Sequence, residues 1–265
     1  MNTAVVTGAG KGLGRRIAHV LADKGFLVLA TDIDEEAAKA TAEAIGEQAW
    51  AMHQDVRDPA SHRAVAKAAG ERGPLKLWVN NAGVLSLGFA WELDDDTVRR
   101  HVEVNLLGVL WGSRAAVDSM RLDGGQIINI ASISSLAPAP GLAVYGATKS
   151  AVLGYSISLQ GDLQQADLPI KISAICPDAI DTDMVRDVAH HRAAGLLFSA
   201  KKLLTVDDVA DAVLDLVKNP KLVVTVPRAR GAFAHIVRPF PTTGLKILER
   251  FRRVGDRRLA ALRNR

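Results

Sequence analysis

The chain has 265 residues, 48% of them hydrophobic, enough for one sizeable core, and no apolar stretch reaches the roughly 18 to 20 residues of a membrane span. A first strand starting at residue 3 leaves no room for a signal peptide, so a cytoplasmic protein is expected; the single cysteine, Cys176, permits no internal disulfide and closes an apolar run, which predicts a buried structural role. The net charge of +4 is uneven: residues 228–265 hold eleven Lys or Arg and two acids, leaving 22 bases and 27 acids in residues 1–227, so a mildly acidic domain carries a basic extension.

Taken in order, Thr3 to Thr7 is a β-branched run that breaks into Gly8-Ala9-Gly10-Lys11-Gly12-Leu13-Gly14 and continues as an amphipathic helix to about Asp23. Glycines at such a turn let the backbone approach a ligand closely, and the first helical amides point unpaired N–H groups at it, an arrangement suited to a pyrophosphate. A P-loop is excluded, because its pattern needs glycine at Val5 and a hydroxyl at Gly12. Phe26 to Thr31 is apolar enough to be covered on both faces, and it ends in Asp32, about twenty residues beyond the glycines, where a carboxylate can accept from the hydroxyls of an adenosine ribose. Asp34 is available to cap the next helix.

A third strand, Gln48 to Gln54, leads to Asp55-Val56 and a helix from about Pro59; a fourth, Leu75 to Val79, runs into Asn80-Asn81-Ala82-Gly83. Strands alternating with helices at this spacing predict a doubly wound parallel α/β sheet of about seven strands with helices on both faces. In such a sheet the ligand sits where the strand order reverses, which brings Asn80 to Gly83 to the same crevice as Gly8 to Gly14.

Asp94-Asp95-Asp96 opens a long helix expected to reach about Met120, with Asn105 in its middle as either a satisfied packing group or part of a site. The strand Gln126 to Ile130 leads through Ala131-Ser132 and a Pro/Ala/Gly loop to the helix opened by Tyr145-Gly146-Ala147-Thr148-Lys149. Tyr145 and Lys149 share a helix face. A neighbouring ammonium favours the phenolate, and lowering a tyrosine pKa by about 3 units takes roughly 4 kcal/mol.

These residues resemble the short-chain dehydrogenase/reductase family, in its shorter single-domain branch. The resemblance rests on Thr7 to Gly14, Asn80 to Gly83, Tyr145 with Lys149, Ser132 thirteen residues before Tyr145, Asn105, and Pro177 with Thr182, and it covers about residues 2–226. It implies a doubly wound Rossmann-type domain over 1–227 that interconverts an alcohol and a ketone or aldehyde. Tyr145 would be the general acid or base, Lys149 would lower its pKa and hold the nicotinamide ribose, Ser132 would bind the reacting oxygen, and Asn105 would support a proton path. Cofactor contacts would come from Gly8, Lys11, Gly12, Leu13, Gly14, Asp32, Asp55, Val56, Asn81, Ala82, Gly83, Tyr145, Lys149, Pro177 and Thr182. Lys11 is a feature of members that use NADP, whereas the Asp32 carboxylate repels a 2′-phosphate, so NAD is expected ahead of NADP. Asp178 stands where the family has glycine, which adds a charge near the nicotinamide end.

Residues 178–204 resemble the family's variable substrate lid, and an apolar pocket of Leu85, Leu87, Pro138, Leu142, Met184, Val188 and Leu196 to Phe198 suits a lipophilic substrate. His190-His191 lack companions at ligand spacing, so no metal is expected. The family commonly forms homodimers or homotetramers. In the extension 228–265, Gly244 to Arg258 is expected to be a helix with Ile247, Leu248, Phe251 and Val254 on one face and Lys246, Arg250, Arg253 and Arg257 on another, suited either to peripheral membrane contact or to packing on the protein's own body. Two rival readings are a dinucleotide-sensing regulator without turnover and, from the basic tail alone, a nucleic-acid binder; the intact Ser132, Tyr145 and Lys149 oppose the first, and no recognition motif supports the second.

Overall fold

A computed structural model of the chain describes residues 1–237 and 239–263. Its strands are β1 (Thr3–Thr7), β2 (Leu27–Asp32), β3 (Ala49–His53), β4 (Leu75–Asn80), β5 (Gly125–Ile130), β6 (Ile170–Pro177) and β7 (Val223–Val226), the first five within one or two residues of the expected runs. The helices are α1 (Gly12–Ala22), α2 (Glu35–Ile45), α3 (Pro59–Arg72), α4 (Asp95–His101), α5 (Gly108–Met120), α6 (Ala143–Gln165), α7 (Asp183–Asp187), α8 (Val206–Lys218), α9 (Arg228–Val237) and α10 (Pro241–Arg263). The strands form one parallel sheet in the order β3-β2-β1-β4-β5-β6-β7, the doubly wound arrangement expected.

β1 is buried at every position because strands flank both its edges and helices cover both its faces. Ile17 and Leu21 of α1 and Val209, Val213 and Leu216 of α8 pack on one side of the sheet. Val65 and Ala69 of α3, Ala115, Ala116 and Met120 of α5 and Leu163 of α6 pack on the other. Each fully buried Ile, Leu or Val contributes about 1.5 to 3 kcal/mol by leaving water, so these two layers fix the sheet beneath the site. The winding reverses between β3 and β4, which opens a crevice at the carboxyl ends of β1 and β4.

Local caps explain several boundaries. Asp34 accepts the Ala37 N–H at the start of α2, leaving Asp32 for other work, and Asp94 accepts the Thr97 N–H at the start of α4. The helix expected to run unbroken to Met120 is instead α4 and α5 joined by a π-helical turn over Val102–Leu107. The extra residue of that turn accompanies Asn105, whose side chain binds backbone outside the helix, and such turns concentrate at functional sites. The stretch 178–204 is a loop closed at its neck, where Asp181 N–H donates to Leu204 and Leu204 N–H to Ala179. In the tail, the expected Gly244 to Arg258 helix lies inside the longer α10, and α9 precedes it.

Candidate active site

The turn after β1 is shaped so closely that side chains are excluded. Gly8 and Gly12 have positive φ (64° and 54°), a Cβ on Gly8 would stand 2.8 Å from Ala82 Cα, and a Cβ on Gly14 would overlap the Gly8 carbonyl. Lys11 begins α1 in extended conformation without a side-chain cap, and no acid lies in the first turn. The opening amides of α1, at Gly12, Leu13 and Gly14, are therefore free to bind an anion, and a pyrophosphate fits this cradle.

Thr7 joins the turn to the end of β4. Its hydroxyl accepts from the Asn81 and Ala82 amides, each at 3.0 Å, and the Asn81 side chain donates back to the Thr7 and Gly8 carbonyls. Asn81, Ala82 and Gly83 thus face the glycine turn. Beneath them Asn80 bonds Trp78, Ser113 and Asn129, and Asn129 bonds Ser156. A buried polar chain that the sequence did not single out therefore holds the loop from below.

Asp32 lies at the far end of the cradle, where its carboxylate accepts the Gly10 and Asp34 amides and keeps lone pairs for a ribose. Next to it the Asp55-Val56 segment is fixed by a buried relay: Thr31 donates to Gln54, the Gln54 amide meets His62 Nδ1 at 3.0 Å, and His62 Nε2 donates to the Val56 carbonyl at 2.8 Å. His62 is buried and burial lowers its pKa, matching the neutral tautomer these partners need. Asp55 is paired with Arg57, whose hydrogen bond holds its carboxyl below the usual range. Lys11 is exposed at the rim.

The other half of the site comes from β5 and α6. The Ser132 hydroxyl beside Tyr145 favours the ionised phenol, but burial outweighs it and pushes the phenol up to about 12. Lys149 is buried with Nζ 5.9 Å from the Tyr145 ring centre and 2.7 Å from the Ile130 carbonyl, and desolvation brings its pKa down to about 8. The expected depression of Tyr145 by Lys149 is therefore not seen: the ammonium lies over the ring and gives its hydrogen bond to the Ile130 carbonyl, and burial raises the phenol.

Asn105 is fully buried outside the cleft lining, its Oδ1 accepting the Val84 amide at 2.7 Å and its Nδ2 donating to the Val84 carbonyl. It stands beside Gly83, where a Cβ would lie 3.2 Å from Asn105 Oδ1 and 3.7 Å from Lys149 Nζ. Ser135 is spent on the Lys149 carbonyl, whereas Ser134 Oγ is buried without a partner among the described residues and faces the cleft. Cys176 is buried with its thiol pushed up to about 12 by desolvation, as suits a structural residue.

Of the residues expected to form the site, all but Asn105 line one cleft of about 940 Å³, Pro177 and Thr182 included. The family model for short chain dehydrogenases matches residues 2–193. The chain belongs to the short-chain dehydrogenase family. It is 32% identical over 226 residues to the 3-oxoacyl-(acyl-carrier-protein) reductase FabG of Escherichia coli, covering 84% of this chain and 92% of that one. It is 36% identical over 191 residues to the trans-4-hydroxycyclohexanecarboxylate dehydrogenase of Sinomonas cyclohexanicum, covering 68% and 73%. A short-chain dehydrogenase/reductase from Burkholderia phymatum, solved in complex with NAD, superposes with a TM-score of 0.81 at 28% identity over 88% of this chain and 91% of the other. As a member of this family the protein is an oxidoreductase of the CH–OH class.

In this short-chain dehydrogenase the substrate end of the cleft is apolar. Leu85, Pro138, Leu142, Met184, Val188, Leu196 and Leu197 line it as expected, but Leu87 and Phe198 do not and pack behind it with Ala194 and Leu259. The loop of Leu85 to Leu87 is set by His101, which accepts the Ser86 amide and donates to Thr97. Five further lining residues come from the tail: Arg230, Phe233, Ala234, Leu248 and Phe251. The helical spacing of the tail displays Leu248 and Phe251 on one face but gives no sign of what that face covers. Among the described residues no group of three or more His, Cys, Asp or Glu is placed to hold a metal, and no helix is long and apolar enough to cross a membrane.

Proposed function

We propose that the protein is an NAD-dependent alcohol dehydrogenase or carbonyl reductase acting on a lipophilic substrate, with Tyr145 as general acid and base. The observation that carries this reading is the Ser132–Tyr145 hydroxyl pair, with Lys149 beneath it, standing between the glycine cradle and the apolar chamber. NAD bound along the cradle would supply the hydride acceptor or donor.

The remaining work falls to protein groups. The free amides of α1 and the Asp32 carboxylate hold the diphosphate and adenosine ribose, and that carboxylate repels a 2′-phosphate. Val56 and the Asn81 to Gly83 backbone bound the adenine side, and Pro177 and Thr182 bound the nicotinamide end. Ser132 holds the substrate oxygen. In oxidation Tyr145 takes the hydroxyl proton as hydride leaves the carbinol carbon, and a carbonyl forms; in reduction the phenol returns the proton. Lys149 binds the nicotinamide ribose, and Asn105 positions Val84 and Gly83 rather than touching the reacting atoms.

The test is turnover by purified protein of a panel of alcohols and carbonyls with NAD(H) and NADP(H). Oxidation of apolar alcohols with NAD, lost in Tyr145→Phe, supports the reading; NAD binding without turnover of any member would leave the dinucleotide-sensing alternative.

Two association readings accompany this one. Val102, in the π-helical turn after α4, and Ile157, on α6, are 37% and 44% exposed, on the segments opened by Asp96 and Tyr145 through which the family commonly pairs, which supports a homodimer or homotetramer, testable by light scattering. Leu248 and Phe251, half of the face expected for lipid, line the cleft instead, while Ile236, Phe240 and Leu245 are exposed around the corner between α9 and α10, which supports peripheral contact with anionic lipid through that corner. Co-sedimentation with anionic vesicles that persists in Phe240→Ser would remove it.

A further inference from the structure

We infer that the C-terminal helices are the outer wall of the substrate chamber and that the Asp178–Arg230 ion pair latches them there, so that the lid and the tail open as one body. This inference rests on the dehydrogenase reading above for the identity of the chamber, but not for the latch.

The family glycine after Pro177 is Asp178 here, at the end of the strand nearest the site. Its carboxylate meets Arg230 Nε at 2.6 Å, with the Asp178 side chain only 10% exposed and that of Arg230 31%. Burial raises the Asp178 pKa and the Arg230 charge opposes the shift. A nearly buried carboxylate without a partner is costly, so the arginine of α9 supplies what an acid just after β6 requires.

Arg230 does more than pair. Its guanidinium also donates to Ser199 Oγ at 3.1 Å and lies over the Phe251 ring at 5.9 Å from the centroid. One side chain thereby ties the end of β6, the lid and α10 together. Phe233 and Phe251 meet with ring centres 5.5 Å apart and, with Leu248, line the chamber together with Met184 and Leu197.

A second fastening joins lid and tail directly. Gly195 and Gly255 approach so closely that a Cβ on Gly255 would overlap the Gly195 carbonyl, and a Cβ on Gly195 would run into Asp256. Arg258 donates to the Ser199 carbonyl at 2.6 Å, and Leu259 packs with Ala193 and Ala194. With residues 193–199 held by α10 at these points, a substrate cannot enter by lid motion alone. Movement of the lid must carry α10 with it or break these contacts.

The chamber is therefore finished by a segment that lies beyond the residues matched by the family model, and its substrate preference depends on Leu248 and Phe251. Removing a large apolar contact from a binding wall alters discrimination among apolar substrates by about tenfold or more.

The experiment has two arms. In the first, amide hydrogen exchange is followed in full-length wild type, Asp178→Asn, Arg230→Gln and the double variant Asp178→Arg with Arg230→Asp. Exchange at 194–199 and across α10 is expected to rise together in each single variant and to fall back toward wild type in the exchanged pair. If neither segment responds, or if one responds without the other, the latch is overturned. In the second, kcat/KM with NAD is measured for 2-alkanols from about four to about twelve carbons in wild type, Leu248→Ala, Phe251→Ala and the exposed-site control Arg250→Ala, alongside NADH affinity by fluorescence. The long-chain over short-chain ratio is expected to fall about tenfold in the two wall variants, with NADH affinity retained. An unchanged ratio overturns the wall. Should wild type oxidise no member of the series, the dehydrogenase reading on lipophilic alcohols fails, and the exchange arm still decides whether lid and tail are latched.

Discussion

Lys149 donates to the carbonyl of Ile130 at 2.7 Å, and its ammonium lies over the ring of Tyr145, 5.9 Å from the ring centre. With the phenol pushed up to about 12 by burial and the lysine brought down to about 8, the protonated tyrosine is the form present at neutral pH. Reduction of a carbonyl, which needs that form, is expected to be level from about pH 6 to the Lys149 value. Oxidation needs the phenolate and is expected to climb across the same range. Parallel pH profiles of kcat/KM in the two directions check this; an oxidation rate that is flat or falling over that range would show that Tyr145 is not the base.

Tyr145→Phe removes the titrating oxygen while preserving the ring that packs with Leu142 and Leu197. Turnover is expected to drop by about 10²- to 10⁴-fold, the usual worth of positioned acid–base catalysis. NADH affinity, read by fluorescence, should stay close to wild type. Retention of more than a few per cent of the rate removes the assignment.

Asp32→Ser is expected to narrow the preference for NAD over NADP, because the introduced hydroxyl carries no charge against a 2′-phosphate while still able to bond a ribose. The Gly10 amide, which Asp32 accepts at 2.9 Å, would keep a polar neighbour. Steady-state kcat/KM with both cofactors gives the answer. A wild type more efficient with NADP would show that Lys11 at the rim outweighs the carboxylate.

Thr7→Val keeps the side-chain volume and deletes the oxygen that accepts the Asn81 and Ala82 amides. A buried donor left unpaired costs about 1 to 3 kcal/mol, so unfolding stability is expected to fall by about that amount or more in urea titration. Cofactor affinity should weaken with it, since the two loops that face the dinucleotide are no longer joined.

His62 gives stability a pH dependence. Burial depresses its pKa below 6.5 in the fold, so the unfolded chain takes up a proton near 6.5 while the native chain does not. The stability that His62 contributes is present above about 6.5 and is lost as pH falls from that value to the lowered one of the folded state. The urea midpoint of wild type is expected to decline from about pH 7 to about pH 5. That decline should be shallower in His62→Gln, which can still bond its neighbours but does not titrate.

The parallel sheet, the glycine turn, Asp32 and the Tyr145–Lys149 pair were legible in the amino-acid order because each is local. Strand and helix periods, a turn that tolerates only glycine, and side chains four apart on one helix depend on neighbours within a few residues. The topological rule for open sheets then placed Asn81 beside Gly8 without further information. What the order of residues could not show depends on contacts between distant segments. Asn105 lies in a π-helical turn because its amide is drawn to Val84, 21 residues away. His62, Asn129 and Ser156 look like ordinary polar residues until the fold buries them and gives each its partners. The apolar stripe of α10 has the same pattern whether it meets lipid, a partner or its own domain. Only the folded chain decides, by placing Arg230 against Asp178, Gly255 against Gly195 and Phe251 over the substrate chamber, because burial and ion pairing at those points depend on distance in space and not along the chain.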